Sequence, residues 1–402
     1  MLMKLTAISG EKTGNSLGLL NGDNVAAAKK FHASFPGYHE TPLTALPHLA
    51  DACGIQDIFI KDESYRFGLN AFKVLGGSYA IGRYLAERVG LDDSELTHAT
   101  LTSPSFRKRC GDITFVTATD GNHGRGVAWT AHELGQRSIV YMPAGTRPER
   151  LKNIQAEGAD ASVTSMNYDD TVRMADQKAK ENGWVLVQDT AWQGYESIPG
   201  WIITGYGTMA DEIRHQLPKP PTHVFLQAGV GSMAAAAAAV LRNAFVEKPP
   251  VITIVEPLTA DCIYRTAEAD DGKRHFVTGR MQTIMAGLAC GEPCSLAWDI
   301  LTHNADFALS CEDYTAADGM RTLGAPLPGD PRIISGESGA SGIGAALALL
   351  RRPENRSLAD MLGLGKDSVV LCISSEGATD KERYRDIVWN GAFSAEGRAS
   401  YD

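Results

Sequence analysis

The chain has 402 residues, a formal charge of −10 and an ordinary globular composition. That length suits two domains and a sizeable core. The negative charge argues against a broad nucleic-acid or anionic-membrane surface, while leaving room for one local pocket that takes an anionic ligand.

In chain order, residues 1–16 are mixed polar and small, without the apolar core of a signal peptide. Short β-rich runs then recur at Ile58–Ile60, Ile113–Val116, Ser138–Tyr141, Ala161–Thr164, Trp184–Val187, Val224–Leu226, Ile252–Val255 and Val369–Ile373. Helical patterns lie between several of them. Arg147–Glu157 opens beside a proline, Tyr168–Asn182 stops at Gly183, and Ile198–Leu217 stops before Pro218. A further helix is expected at Gly342–Leu350. The Ser/Thr-rich stretch Ser94–Cys110 and the Gly/Pro-bearing stretch Thr322–Asp330 read as loops. Ala234–Ala239 is a strong helix former of very small profile. Its surroundings are too short and alanine-rich to cross a bilayer, so no membrane partner is expected. Alternating strands and helices imply an α/β protein whose parallel sheets are covered on both faces.

Four segments carry chemistry. Lys73 is the only charged residue between Gly68 and Gly82. A lysine there is either solvated above a buried stem or a desolvated amine able to form a Schiff base. Next, Thr117-Ala-Thr-Asp-Gly-Asn-His-Gly124 follows a strand and opens a helix, so its N–H groups suit a carboxylate. Third, Val224–Met233 runs from a strand through Gly229-Val-Gly231 into a helix, which is either a plain tight turn or a phosphate cradle with Ser232 as an added donor. The same stretch reads Gly229-x-Gly231-x-x-Ala234 with Glu256 after the next strand, a dinucleotide fingerprint. That motif normally opens its domain, and several α/β units precede it here, which favours a plain phosphate. Fourth, Ser374 and Ser375 end the last strand. Asp189 either caps the turn after its strand or serves the site. Glu337 sits in a Gly/Ser-rich turn that either is ordinary or lines a pocket. His123 reads as a positioning histidine. The seven cysteines show no metal-type spacing, and no metal site is expected. Cys262, Cys290 and Cys294 are read as plain thiols, with a loop disulfide as the alternative.

The order of these motifs resembles the tryptophan-synthase-like family, the fold type II enzymes that use pyridoxal 5'-phosphate (PLP), over roughly residues 35–390. The resemblance implies two three-layer α/β domains with the cofactor in the cleft between them. Residues 1–87 with 196–402 are expected to form the large domain, and 88–195 a small inserted one. It implies that Lys73 holds the cofactor, Asn122 meets its ring hydroxyl, Gly229, Val230, Gly231, Ser232 and Met233 cradle its phosphate, and Ser374 rather than Ser375 faces its pyridine nitrogen. Thr119, Asp120, Gly121, His123 and Asp189 are the expected substrate contacts, with Lys73, Asp120 and Asp189 as the catalytic set. The dehydratases of the family carry a small or hydroxyl residue where this chain has Asp120. A carboxylate there repels a substrate carboxylate unless it handles a second ammonium or a proton. That departure resembles the branch that eliminates ammonia from D- and L-2,3-diaminopropionate. A serine/threonine dehydratase, a nicotinamide dehydrogenase and a non-catalytic PLP carrier are the alternatives. The resemblance also implies a homodimer, and the whole reading is of a cytoplasmic enzyme acting on a small amino acid.

Overall fold

The computed structural model describes residues 3–119 and 121–395. Their strands, in chain order, are β1 Met3–Ala7, β2 Leu43–Ala45, β3 Asp57–Asp62, β4 Thr114–Ala118, β5 Arg137–Met142, β6 Asp160–Val163, β7 Val185–Leu186, β8 His223–Gln227, β9 Val251–Pro257, β10 Phe307–Cys311 and β11 Val369–Ser374. All eight expected strands are present, as β3 to β9 and β11. The three others carry weak signals. β1 and β2 pair antiparallel at the two edges of a sheet, where one neighbour suffices. β10 contains Ala308 and Ser310, which lower its β propensity.

The described residues divide into two compact units. The first comprises 3–17, 41–65 and 209–395. Its seven-stranded sheet has the order β1-β10-β9-β8-β11-β3-β2, parallel except at the edges. Every residue of β8 and β11 is buried, as expected of strands covered on both faces. The helix Ser232–Ala244 follows β8, and its six alanines are fully buried.

The second unit comprises 18–40, 66–119 and 121–208, around a parallel sheet of order β6-β5-β4-β7. Within this unit glycines let the helix Val74–Val89 approach its neighbours closely. A Cβ on Gly126 would lie 2.8 Å from the Val74 Cα, and one on Gly205 would lie 2.4 Å from the Leu75 carbonyl oxygen. Glycine permits such backbone approach, and a side chain would forbid it.

The expected loop Ser94–Cys110 is instead helical, with the short helices His98–Thr102 and Pro104–Cys110. Its hydroxyls act as caps: Thr97 accepts from the Thr100 N–H and Ser103 from the Phe106 N–H. The helix Asp313–Gly324 runs three residues into the other expected loop. The remaining expected helices appear as Pro148–Ala156, Tyr168–Asn182, Ser197–Gln216 and Ser341–Arg351. Among the described residues, no helix is long and apolar enough to cross a membrane.

Candidate active site

In the second unit, Lys73 immediately precedes the helix Val74–Val89 and has helical backbone angles. Its side chain is 21% exposed. Its Nζ lies 2.5 Å from Asp189 Oδ2. Asp189 is buried. Burial alone would raise its pKa. The charge of Lys73, then that of His123, and the hydrogen bond from Lys73 outweigh burial and hold the carboxyl at about 2. Asp189 is therefore an anion at any working pH.

The loop after β7 is tied down to present that anion. The Tyr195 hydroxyl accepts from the Gln188 N–H at 2.8 Å and donates to the Leu186 carbonyl at 2.9 Å. Trp192 stacks on the Tyr195 ring at 4.4 Å. The Gln188 side chain accepts from Thr117 and donates to Tyr168. Neither Gln188 nor Tyr195 declares this role in the sequence, because each acts through a backbone that only the folded loop brings near.

The loop after β4 forms a tight turn. Thr119 Oγ1 accepts from the N–H groups of Gly121 and Gly124 at 3.0 and 3.2 Å. A Cβ on Gly124 would strike the Thr119 methyl and Val140. Asn122 opens the helix Asn122–Glu133, whose first N–H groups have no acceptor within the helix. His123 Nε2 donates to the Val187 carbonyl at 2.8 Å, fastening this turn to the strand that leads to Asp189. Thr119 and His123 are buried and already committed to the turn. Asp120 lies outside the described residues.

In the first unit, β8 leads into the glycine turn and the helix Ser232–Ala244. Gly231 has φ +98°, a conformation that favours glycine. A Cβ on Gly229 would come within 3.0 Å of Cys290 Sγ and 3.2 Å of the Gly287 carbonyl. The Val230 carbonyl accepts from the Cys294 N–H at 2.9 Å. The segment from Gly287 to Cys294 therefore shapes the turn, which the motif alone does not reveal. Bare backbone at a helix N-terminus fits a phosphate.

Ser374 ends β11 and is buried. Its hydroxyl lies 2.8 Å from Ser335 Oγ. Ser375 is engaged otherwise, accepting from Gln227 Nε2 at 2.9 Å. Glu337 is buried 3.9 Å from Arg383 Nε, and Glu376 accepts from the Ser338 N–H. No group of three or more His, Cys, Asp or Glu among the described residues is placed to hold a metal ion.

The dinucleotide reading fails on Glu256. Its carboxylate accepts from the N–H groups of Ile263 and Tyr264 at 2.9 and 2.7 Å, capping the helix Cys262–Ala269. It is fully buried, which pushes its pKa up to about 8 despite those two bonds. No ribose can reach it. Cys262, Cys290 and Cys294, like the other four cysteines, are thiols.

Within the second unit the Lys73 amine beside a buried anion fits an aldehyde, and within the first the glycine turn at a helix start fits a phosphate and the buried serine at a strand end fits a ring nitrogen. Residues 35–374 match the family model described as pyridoxal-phosphate dependent enzyme. The chain is 50% identical over 384 residues to the diaminopropionate ammonia-lyase of Salmonella typhimurium, covering 94% of this chain and 95% of that one. The crystal structure of the holo diaminopropionate ammonia lyase of Escherichia coli superposes with a TM-score of 0.92 at 46% identity, covering 98% of each chain. The E. coli enzyme in complex with an aminoacrylate-PLP azomethine reaction intermediate superposes with a TM-score of 0.88, again at 46% identity and 98% of each chain.

Proposed function

The chain belongs to the pyridoxal-phosphate dependent enzyme family, and from that membership we propose that it converts 2,3-diaminopropionate and water into pyruvate and two ammonia. Its cofactor is pyridoxal 5'-phosphate. The observation that carries the reading is the Lys73 amine held 2.5 Å from a buried, ionised Asp189.

In this proposal Lys73 Nζ is the amine that holds the cofactor. The N–H groups from Gly229 to Met233, with the Ser232 hydroxyl, bind its phosphate. Asn122 donates to its ring oxygen. Ser374 donates to its pyridine nitrogen, with Ser335 reversing its own hydroxyl to donate to Ser374. A serine polarises that nitrogen weakly compared with a carboxylate, which favours direct elimination over transamination. When bound, the cofactor supplies the electron sink that makes the substrate Cα–H acidic.

The N–H groups of Asn122 and His123 at the start of the helix receive the substrate carboxylate, while those of Thr119 and Gly121 hold the turn in shape. Lys73, released, takes the α-proton of the L-isomer from one face. Asp120 takes that of the D-isomer from the other. The β-amine must depart as neutral ammonia, so an acid at that nitrogen assists, either Asp120 or Lys73 in its protonated form. Asp189 orients the distal ammonium of the substrate once Lys73 has turned away. Free 2-aminoacrylate then tautomerises and hydrolyses in water to pyruvate and the second ammonia. The reading takes the enzyme as a homodimer, supported by the family resemblance. Seven thiols without disulfides support a cytoplasmic setting.

The test compares kcat/KM for both isomers of diaminopropionate with serine and threonine. Diaminopropionate should lead by at least about 100-fold, roughly 2.7 kcal/mol of transition-state preference. Asp120→Asn should impair the D-isomer far more than the L-isomer. A preference for serine or threonine would overturn the substrate, and equal loss on both isomers would remove Asp120 as a face-specific base.

A further inference from the structure

The helix Ser197–Gln216 carries Tyr206, whose side chain is fully buried. Its ring fills the notch left by Gly76. A Cβ there would lie 2.6 Å from ring carbon Cε1 and 2.7 Å from Cζ, the carbon that bears the hydroxyl. Gly76 lies one helical turn beyond Lys73, on the same face. The Tyr206 ring also packs on Phe72 at 4.8 Å between centroids, and the Lys73 ammonium sits 5.7 Å from the centroid of that same Phe72 ring.

The Tyr206 hydroxyl is buried and has no hydrogen-bond partner among the described residues. A phenylalanine would fill the same space without stranding a polar group, so the hydroxyl is a structural cost in this state. Burial pushes its pKa well above the usual tyrosine range. Among charged neighbours it feels Lys73 first and Asp189 next. It therefore remains an O–H donor at any working pH.

A base must be neutral, and the Asp189 carboxylate favours the charged form of Lys73. A phenol O–H donates to the lone pair of a neutral amine and so favours the other form. On the reading that Lys73 carries the cofactor and then acts as base, we propose that Tyr206 is a positioning residue for Lys73: its hydroxyl supplies the hydrogen bond that the lysine nitrogen gives up on leaving Asp189. The stranded hydroxyl is then a group built for the working state of the lysine.

Tyr206→Phe tests this with three readouts on the full chain. Without cofactor, its melting temperature should equal or exceed that of the wild type. Borohydride should still fix the cofactor on Lys73. In the holoenzyme, kcat for the L-isomer should fall at least tenfold with little change in KM. The acid limb of the kcat–pH profile should move to higher pH, because the neutral lysine has lost its stabilising donor. A wild-type kcat and pH profile would overturn the proposal. So would a melting temperature several degrees lower, which would make the hydroxyl structural. If borohydride fails to fix the cofactor on Lys73 of the wild-type protein, the underlying reading falls and takes this one with it.

Discussion

Replacing Asp189 by asparagine keeps the shape of the side chain and removes the charge that faces Lys73. The carboxyl is held at about 2 against an ordinary value of 3.8. That difference corresponds to about 2–3 kcal/mol in favour of the ionised form, at about 1.4 kcal/mol per pKa unit. Breaking a fully buried pair costs about 3–5 kcal/mol, but the Lys73 side chain keeps some contact with water, which places the expected loss nearer ~2 kcal/mol. A carboxyl depressed in the folded state contributes stability that is present above its unfolded value. That contribution is lost as pH falls through the folded value. The gap between wild type and Asp189→Asn should therefore be constant from neutral pH down to about pH 4 and shrink between there and pH 2. Urea denaturation of the full chain without cofactor, followed at a series of pH values, measures it. Equal stability of the two proteins at pH 7 would refute the argument, as would a gap that grows on acidification.

Two further outcomes are expected. Gly231→Ala forces a side chain into φ +98° with its Cβ 3.1 Å from Ile263 Cδ1, at a backbone cost of about 1–2 kcal/mol. Cofactor affinity, read by absorbance titration, should weaken at least tenfold, and an unchanged affinity would dissociate this turn from the phosphate. Tyr195→Phe removes the bridge between Gln188 and Leu186, at about 1–3 kcal/mol for a stranded backbone group, and should lower kcat about tenfold by loosening Asp189. Steady-state kinetics indistinguishable from wild type would show that the loop is held without it.

Much of the architecture was legible locally. A parallel strand buried on both faces must be a short run of apolar, often β-branched residues, and β8 and β11 announce themselves that way. The helix Tyr168–Asn182 matches its expected limits because Asn167 caps one end and Gly183, at φ 69°, ends the other. Ser94–Cys110 misled because the residue types that make loops also make helix caps. Only the partner N–H groups tell the two apart.

Local pattern also marked the lysine, the Gly-Asn-His-Gly turn, the glycine turn and the terminal serine, since each chemistry needs its residue type at a strand end or helix start. What it left open was partnership. Lys73 meets Asp189 across 116 positions of chain, and Ser374 meets Ser335 across 39. The close packing of the helix Val74–Val89 turned on glycines of distant segments, Gly126 and Gly205. Chain stiffness, capping and hydrophobic periodicity act over a few residues, so sequence alone determined the elements and the kinds of groups they carry. Which groups touch, and hence which carboxylate stays ionised and which hydroxyl is stranded, depends on distances that exist only after distant segments pack.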